Sequence, residues 1–179
     1  MWFRRDLRIG DLPALLAAGS DNQTVVPLFI IDSGFARAGA PRRALLHGIL
    51  NDLDQQIRDR FGSRLLIRHG DPAVEVPAIA AAFDASTVYV SRDYAPYGRQ
   101  RDTLVAAALA EQGRSLTGVG SPYAVDPGRV LKGDGTPYKV FTQFSKIWRQ
   151  TGVEPPAPDP GGDMDWAPTS ALDEYCHPL

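Results

Sequence analysis

The chain holds one cysteine in 179 residues, Cys176, so an intrachain disulfide is excluded and a reducing, cytoplasmic setting is expected. It has no run of 18 apolar residues, which predicts no membrane span. The first residues read as the inside of a strand and lack the layout of a secretory leader. Lysine is scarce, with three against sixteen arginines, and the 19 cations meet 21 carboxylates for a net charge of -2. A chain without a basic face is not expected to hold DNA strongly by itself, because affinity for DNA rests on phosphate neutralisation. His47, His69 and His177 are scattered without metal-ligand spacing, so no metal site is expected. Serine, histidine and aspartate form no nucleophilic arrangement, and no residue is assigned a catalytic role. The G-x-G-x-x-G turn is missing after the first apolar run, which argues against an NAD-type site.

What remains is an ordinary globular composition, 44% hydrophobic and 22% charged, in a length that suits one α/β domain with a tail. Apolar runs at 1–3, 24–31, 64–68, 87–91 and 115–119 read as strands. Helix-period stretches alternate with them at 12–18, 42–61, 73–83 and 97–112. In the second of these, Leu46, Ile49, Leu50, Leu53 and Ile57 recur at three- and four-residue steps. The third opens on Asp71 as N-cap and Pro72 at the first helical position. Strands alternating with helices predict βαβ units, and right-handed crossovers then favour one arrangement. The expected fold is α/β, a doubly wound, Rossmann-like sheet of five parallel strands in the order 3-2-1-4-5, with helices on both faces.

Beyond residue 121 the pattern loosens. Residues 138–148 are aromatic-rich and read as a helix whose stripe serves packing. Residues 153–168 contain five prolines and two glycines, a linker or extended strap rather than packed structure. Trp166 and 171–175 look like the start of a further unit. The expected division is a domain over 1–150 and, over 151–179, a proline-rich linker with the truncated beginning of another domain.

Ligands of doubly wound sheets bind outside the carboxyl ends of the strands, at the point where strand order reverses. Arg4, Arg5 and Arg8 leave the first strand there, and either line a pocket or pair with Asp6, Asp11 or a neighbouring domain. Asp32 follows the second strand and either meets a ligand ring or caps its own loop. Asp93 to Asp102 follows the fourth strand with carboxylates, two tyrosines and arginines that could grip a flat polar ring. Within it Asp93 is read as functional, and Arg101 and Asp102 as a solvated helix face. Gly70-Asp71-Pro72 is read as helix-start chemistry and not as a phosphate loop.

Three segments carry a family resemblance. They are Met1-Trp2-Phe3-Arg4-Arg5-Asp6-Leu7-Arg8 running into Asp11-Leu12-Pro13-Ala14-Leu15, the block from Arg64 to Pro72, and Gly135-Thr136-Pro137-Tyr138-Lys139-Val140-Phe141-Thr142-Gln143-Phe144 with Trp148. Together they resemble the N-terminal α/β domain of the DNA photolyase/cryptochrome family over residues 1 to about 150. Leu12 stands where the family usually has Asn, and Gln143 where it commonly has Pro.

The resemblance implies a light-harvesting domain. It would hold an antenna chromophore for an enzyme that repairs pyrimidine dimers by light-driven electron transfer from FAD. The FAD and the damaged DNA would belong to a helical domain of the same parent chain, and the expected protein is a monomer. The implied chromophore contacts are Phe29, Ile30, Ile31, Asp32, Arg43, Asp93 and Arg5. Ala40-Pro41-Arg42-Arg43 and Asp93 ahead of Pro96-Tyr97-Gly98-Arg99 resemble the deazaflavin-using branch, which favours a deazaflavin over methenyltetrahydrofolate or FMN. Alternatives are a cryptochrome photoreceptor, a stand-alone nucleotide-binding module, and an interaction domain with an empty pocket.

Overall fold

The computed structural model describes residues 1–20 and 24–179, with the backbone alone at Ala36. Among the described residues five strands and six α-helices follow one another in chain order. They are β1 (Trp2–Phe3), α1 (Pro13–Ala18), β2 (Leu28–Asp32), α2 (Ala40–Phe61), β3 (Leu66–Gly70), α3 (Pro72–Ala82), β4 (Thr87–Val90), α4 (Pro96–Ala110), β5 (Ser115–Gly118), α5 (Phe141–Thr151) and α6 (Thr169–Asp173). No helix among the described residues is long and apolar enough to cross a membrane.

Side chains alternate across the strands, and each face gathers its own core. Phe3, Phe29 and Ile67 join Leu15 of α1 and Leu50, Leu53 and Ile57 of α2. Trp2, Leu28, Ile30 and Leu66 join Val76 and Ile79 of α3 and Val105 and Leu109 of α4. Helices therefore cover both faces, as alternating βα units require. Local signals place their ends. Asp71 accepts from the Ala73 amide at 2.9 Å and Pro72 opens α3. Gly62 ends α2 at φ 64°, donating to the Arg58 carbonyl, a backbone that favours glycine.

The expected single sheet is found as two hydrogen-bonded ladders, β1-β2-β3 and β4-β5, all pairs parallel. The 3-2-1 and 4-5 neighbours are as expected. β1 lies against β4, yet no ladder joins them. Two residues of β1 give little backbone to pair. Past Phe3 the link passes to side chains: an Arg4 guanidinium N–H reaches the Ser91 carbonyl and the Ser91 hydroxyl reaches Asp6.

β2 starts at Leu28 and not at 24, because Val25 pairs elsewhere: it exchanges 2.9 Å bonds with Asp165 and Ala167. Most of residues 153–163 stay exposed, as in the extended strap expected, whereas Pro160 and the end of the segment are buried. Trp166 is buried and stacks on Phe61 at 4.6 Å, and Ser63 donates to the Ala167 carbonyl at 2.6 Å. Leu172 of α6 is fully buried in the α3 and α4 core. The chain then lies along the outer edge of β3, where the His177 amide donates to the Ile67 carbonyl at 2.8 Å. An edge strand presents unpaired backbone, and this tail covers it. α5 starts at Phe141, later than 138, and its stripe is not core. None of its residues is buried, and Phe141 is 78% exposed.

Candidate functional site

The carboxyl ends of β1, β2 and β4 meet above the sheet, and charged residues concentrate there. Arg4 leaves β1 buried and pairs with Asp102 of α4. Arg101 binds the same carboxylate at 3.0 Å and Asp93 at 3.5 Å, while Arg5 reaches Asp93 at 3.2 Å. The Arg4 and Arg101 guanidinium carbons stand 4.9 and 5.1 Å from the centre of the Trp2 ring, a cation–π arrangement. Burial and the neighbouring Arg101 push the Arg4 pKa down against the pull of Asp102. For Asp93, burial pushes upward, but the Ala95 amide at 3.0 Å, Arg5 and Arg101 outweigh it. Its carboxyl therefore lies below the usual range and is ionised at neutral pH.

This network fills the crevice between β1 and β4. Arg4, Asp6, Ser91 and Asp93 leave no space between them for even a water-sized molecule. Arg8 turns back and donates to the Asp11 carbonyl at 2.7 Å and the Gly10 carbonyl at 3.1 Å, bracing its own loop. Asp11 in turn accepts from the Ala157 amide at 2.9 Å, which ties that loop to the strap. Of the two readings open for the three arginines, the structure displays the bridging one.

The outer rim differs in character. Asp32, half-buried at the end of β2, caps the 3₁₀ turn Ser33–Arg37 through the Gly34 amide at 2.8 Å. Its other oxygen accepts from the Tyr97 hydroxyl of α4. That bond, followed by burial, pushes the Tyr97 phenol up to about 12. Beside the turn, residues 40–45 of α2 stand exposed, and Leu46 is the first to pack against the core. Arg43, Leu45 and Ile49 are exposed there, and full burial begins at Leu50. Tyr97, 59% exposed, and Val74 on α3 add further apolar surface.

Of the seven residues expected at a chromophore, Arg5 and Asp93 are in direct contact, and Asp32 stands at the rim. Phe29 and Ile30 point into opposite cores, and Ile31 packs against the first of them. Arg43 is exposed on the first turn of α2. Arg101 and Asp102, read as a solvated face, are half-buried members of the network. The signal for them was present: Gly98, Arg101, Asp102, Val105 and Leu109 recur at three- and four-residue steps on one side of α4. Gly98 belongs to the same face, because a Cβ there would meet the Asp93 carboxyl carbon at 2.2 Å. Tyr97 is one of the two tyrosines of that loop, and its partner Asp32 lies 65 residues away. Among the described residues no group of three His, Cys, Asp or Glu could hold a metal.

Comparison with known proteins places this arrangement. The family model described as DNA photolyase matches residues 1–161. A deoxyribodipyrimidine photo-lyase of Synechococcus sp. (strain ATCC 27144 / PCC 6301 / SAUG 1402/1) is 38% identical over 142 residues, covering 69% of this chain and 29% of that protein. Among solved structures, a cryptochrome of Synechocystis sp. PCC6803 superposes with a TM-score of 0.83 at 21% identity, over 99% of this chain and 40% of its own. An archaeal photolyase from Sulfolobus tokodaii, solved with two FAD molecules, gives 0.74 at 24% identity, over 96% and 38%. The last two establish likeness of fold. The chain spans less than a third of the Synechococcus protein's length. Since the family match runs through both ladders, the arginine network and the first half of the strap, this chain belongs to the DNA photolyase family.

Proposed function

We propose that this chain is the antenna domain of a DNA photolyase. It would hold a light-absorbing chromophore over the carboxyl ends of β2 and β4. What supports this most is the rim itself, where Asp32, Tyr97, Asp93 and Arg5 converge beside an apolar, uncovered start of α2. A flat heteroaromatic ring needs apolar walls and a few fixed polar groups at its edges, and this donor set fits that chemistry. Asp32 and Asp93 would accept from ring N–H or hydroxyl groups, and Arg43 and Arg5 would meet carbonyl or phosphate oxygens. Tyr97 offers a wall. Phe29, Ile30 and Ile31 would act through the main chain at the strand exit, since their side chains serve the cores.

Among chromophores a deazaflavin is favoured over methenyltetrahydrofolate or FMN, on the Arg43 and Asp93 positions; the FAD pair in the Sulfolobus structure makes a flavin the next candidate. When bound, the group supplies absorption and passes excitation to an FAD. That FAD, the damaged DNA and the repair chemistry belong to a helical domain of the parent, joined beyond about residue 150. We also infer that the two ladders are halves of one sheet in the order 3-2-1-4-5, that the parent is a monomer, and that it works in the cytoplasm.

The test is titration of the protein with a deazaflavin, methenyltetrahydrofolate, FMN and FAD, followed by absorption. A red-shifted, saturable band is expected with one of them. Arg43→Ala and Asp93→Ala should each weaken it about tenfold or more, the cost of losing a hydrogen bond to a charged group. If none of the four binds, the antenna reading fails. The likeness to a cryptochrome supports a photoreceptor that signals without repair. Blue-light repair assays of the full-length parent separate the two.

A further inference from the structure

Each oxygen of Asp32 holds one partner at the end of β2. Its Oδ1 accepts from the Gly34 amide at 2.8 Å and shapes the turn that leads toward α2. Its Oδ2 accepts from the Tyr97 hydroxyl. Tyr97 stands on the first turn of α4, so its side chain crosses the rim from α4 to the end of β2. The oxygen that a ligand ring would need at Asp32 is therefore already in use.

The backbone under Tyr97 is held fast. Asp93 accepts from the Ala95 amide at 3.0 Å, just ahead of α4, and it pairs with Arg5 and Arg101. Gly98, the next residue after Tyr97, lies against Asp93 too closely for a Cβ. The Tyr97 side chain is freer. The residue is 59% exposed, and the Arg101 guanidinium carbon stands 5.8 Å from its ring centre, the outer limit of a cation–π contact. Rotation about its side-chain bonds carries the ring into solvent, at the cost of the bond to Asp32 and without moving α4. Such rotamer changes at exposed residues take picoseconds to nanoseconds. Asp32 itself stays in place, because the Gly34 amide holds its other oxygen.

We propose that Tyr97 is a latch across the chromophore site, which holds Asp32 until the N–H or hydroxyl edge of a bound ring takes that carboxylate from it. The latch rests on the antenna reading above, and it gives the Tyr97 hydroxyl an effect opposite to that of a ligand contact. Phenol and ligand compete for one acceptor, so a chromophore enters only those molecules in which the ring has swung out. Its apparent affinity is reduced by that fraction. A hydrogen bond to a charged acceptor keeps the latch closed in about nine molecules of ten or more. Removing the hydroxyl while keeping the ring therefore helps binding, and the gain lies in the association step.

Stopped-flow absorption tests it, with the wild-type chain and Tyr97→Phe each mixed in turn with a deazaflavin, methenyltetrahydrofolate, FMN and FAD. Phenylalanine keeps the aromatic wall, and changes at exposed positions rarely disturb a fold. With the chromophore that binds, Tyr97→Phe should associate about tenfold faster and bind about tenfold tighter, its dissociation rate staying within about twofold of the wild type. Equal or slower association in Tyr97→Phe overturns the latch and leaves the antenna reading standing, since the wild type still binds. A gain that comes from slower dissociation alone also overturns it, because that marks a better wall and not an opened latch. No binding of any of the four to either form overturns both.

Discussion

Arg4 and Asp102 lie 98 residues apart and form the ion pair that spans the crevice between the end of β1 and α4. The Arg4 side chain is only 5% exposed, and its other nitrogen reaches the Ser91 carbonyl at the end of β4. One guanidinium thus holds three elements that no ladder joins at this point. Breaking a buried pair leaves a charge without its partner, which costs more than the pair contributes net.

Asp102→Asn keeps the shape at that position and removes the charge. We expect a loss of about 3 kcal/mol in urea unfolding. Arg4→Ala should cost a similar amount, and the double variant less than the sum of the two, because the second change removes the stranded partner. Additive losses would mean that the two side chains do not act as a unit.

Tyr97 and Asp32 give a spectroscopic signature. The Tyr97 phenol, raised to about 12 chiefly by its hydrogen bond to Asp32, should ionise well above the ordinary phenol range. Phenolate absorbance of the wild type minus that of Tyr97→Phe isolates it. In Asp32→Asn the difference titration should fall toward the ordinary value near 10. The folded pKa is raised, so the unfolded chain loses this proton first. Stability from this group is full below pH about 10 and declines as pH climbs to about 12.

The Met1 amine gives a second, opposite pH window. Its pKa falls from 8.0 to about 5 in the folded chain. Between those values the unfolded chain holds a proton that the folded chain has released. Stability should therefore rise with pH from about 5 to 8 and level off above, by roughly 4 kcal/mol for three units. Acetylation of the amine should abolish that slope in denaturant titrations taken across the same range. A slope that survives acetylation would place its origin in other groups.

Leu172 tests how far the tail contributes to the fold. It is fully buried among residues of α3 and α4, more than 60 positions earlier in the chain. Leu172→Ala should cost about 2–5 kcal/mol, the usual range for a buried leucine that leaves a cavity. An unchanged unfolding midpoint would mean that the residues after the strap are dispensable to the core.

The sequence by itself determined the elements and their kind. Apolar runs of strand length alternating with helix-period stretches placed all five strands and the first five helices to within a few residues, and Asp71-Pro72 placed the start of α3, because these signals lie within one or two turns of chain. It also showed where charge would gather, since the strand ends carry Arg4, Arg5, Asp32 and Asp93. The partners were beyond its reach. Arg4 with Asp102, Tyr97 with Asp32, and Val25 with Trp166 are contacts between segments 65 to 141 residues apart. Which of them forms depends on how two helical layers and a tail close over the sheet. Tertiary structure alone decided that the crevice between β1 and β4 is bridged by side chains, that the end of the proline-rich strap packs, and that a cavity opens between the amino ends of β2 and β4. Periodicity records which way a residue faces; what it meets there is settled by the packing of layers that are distant in the chain.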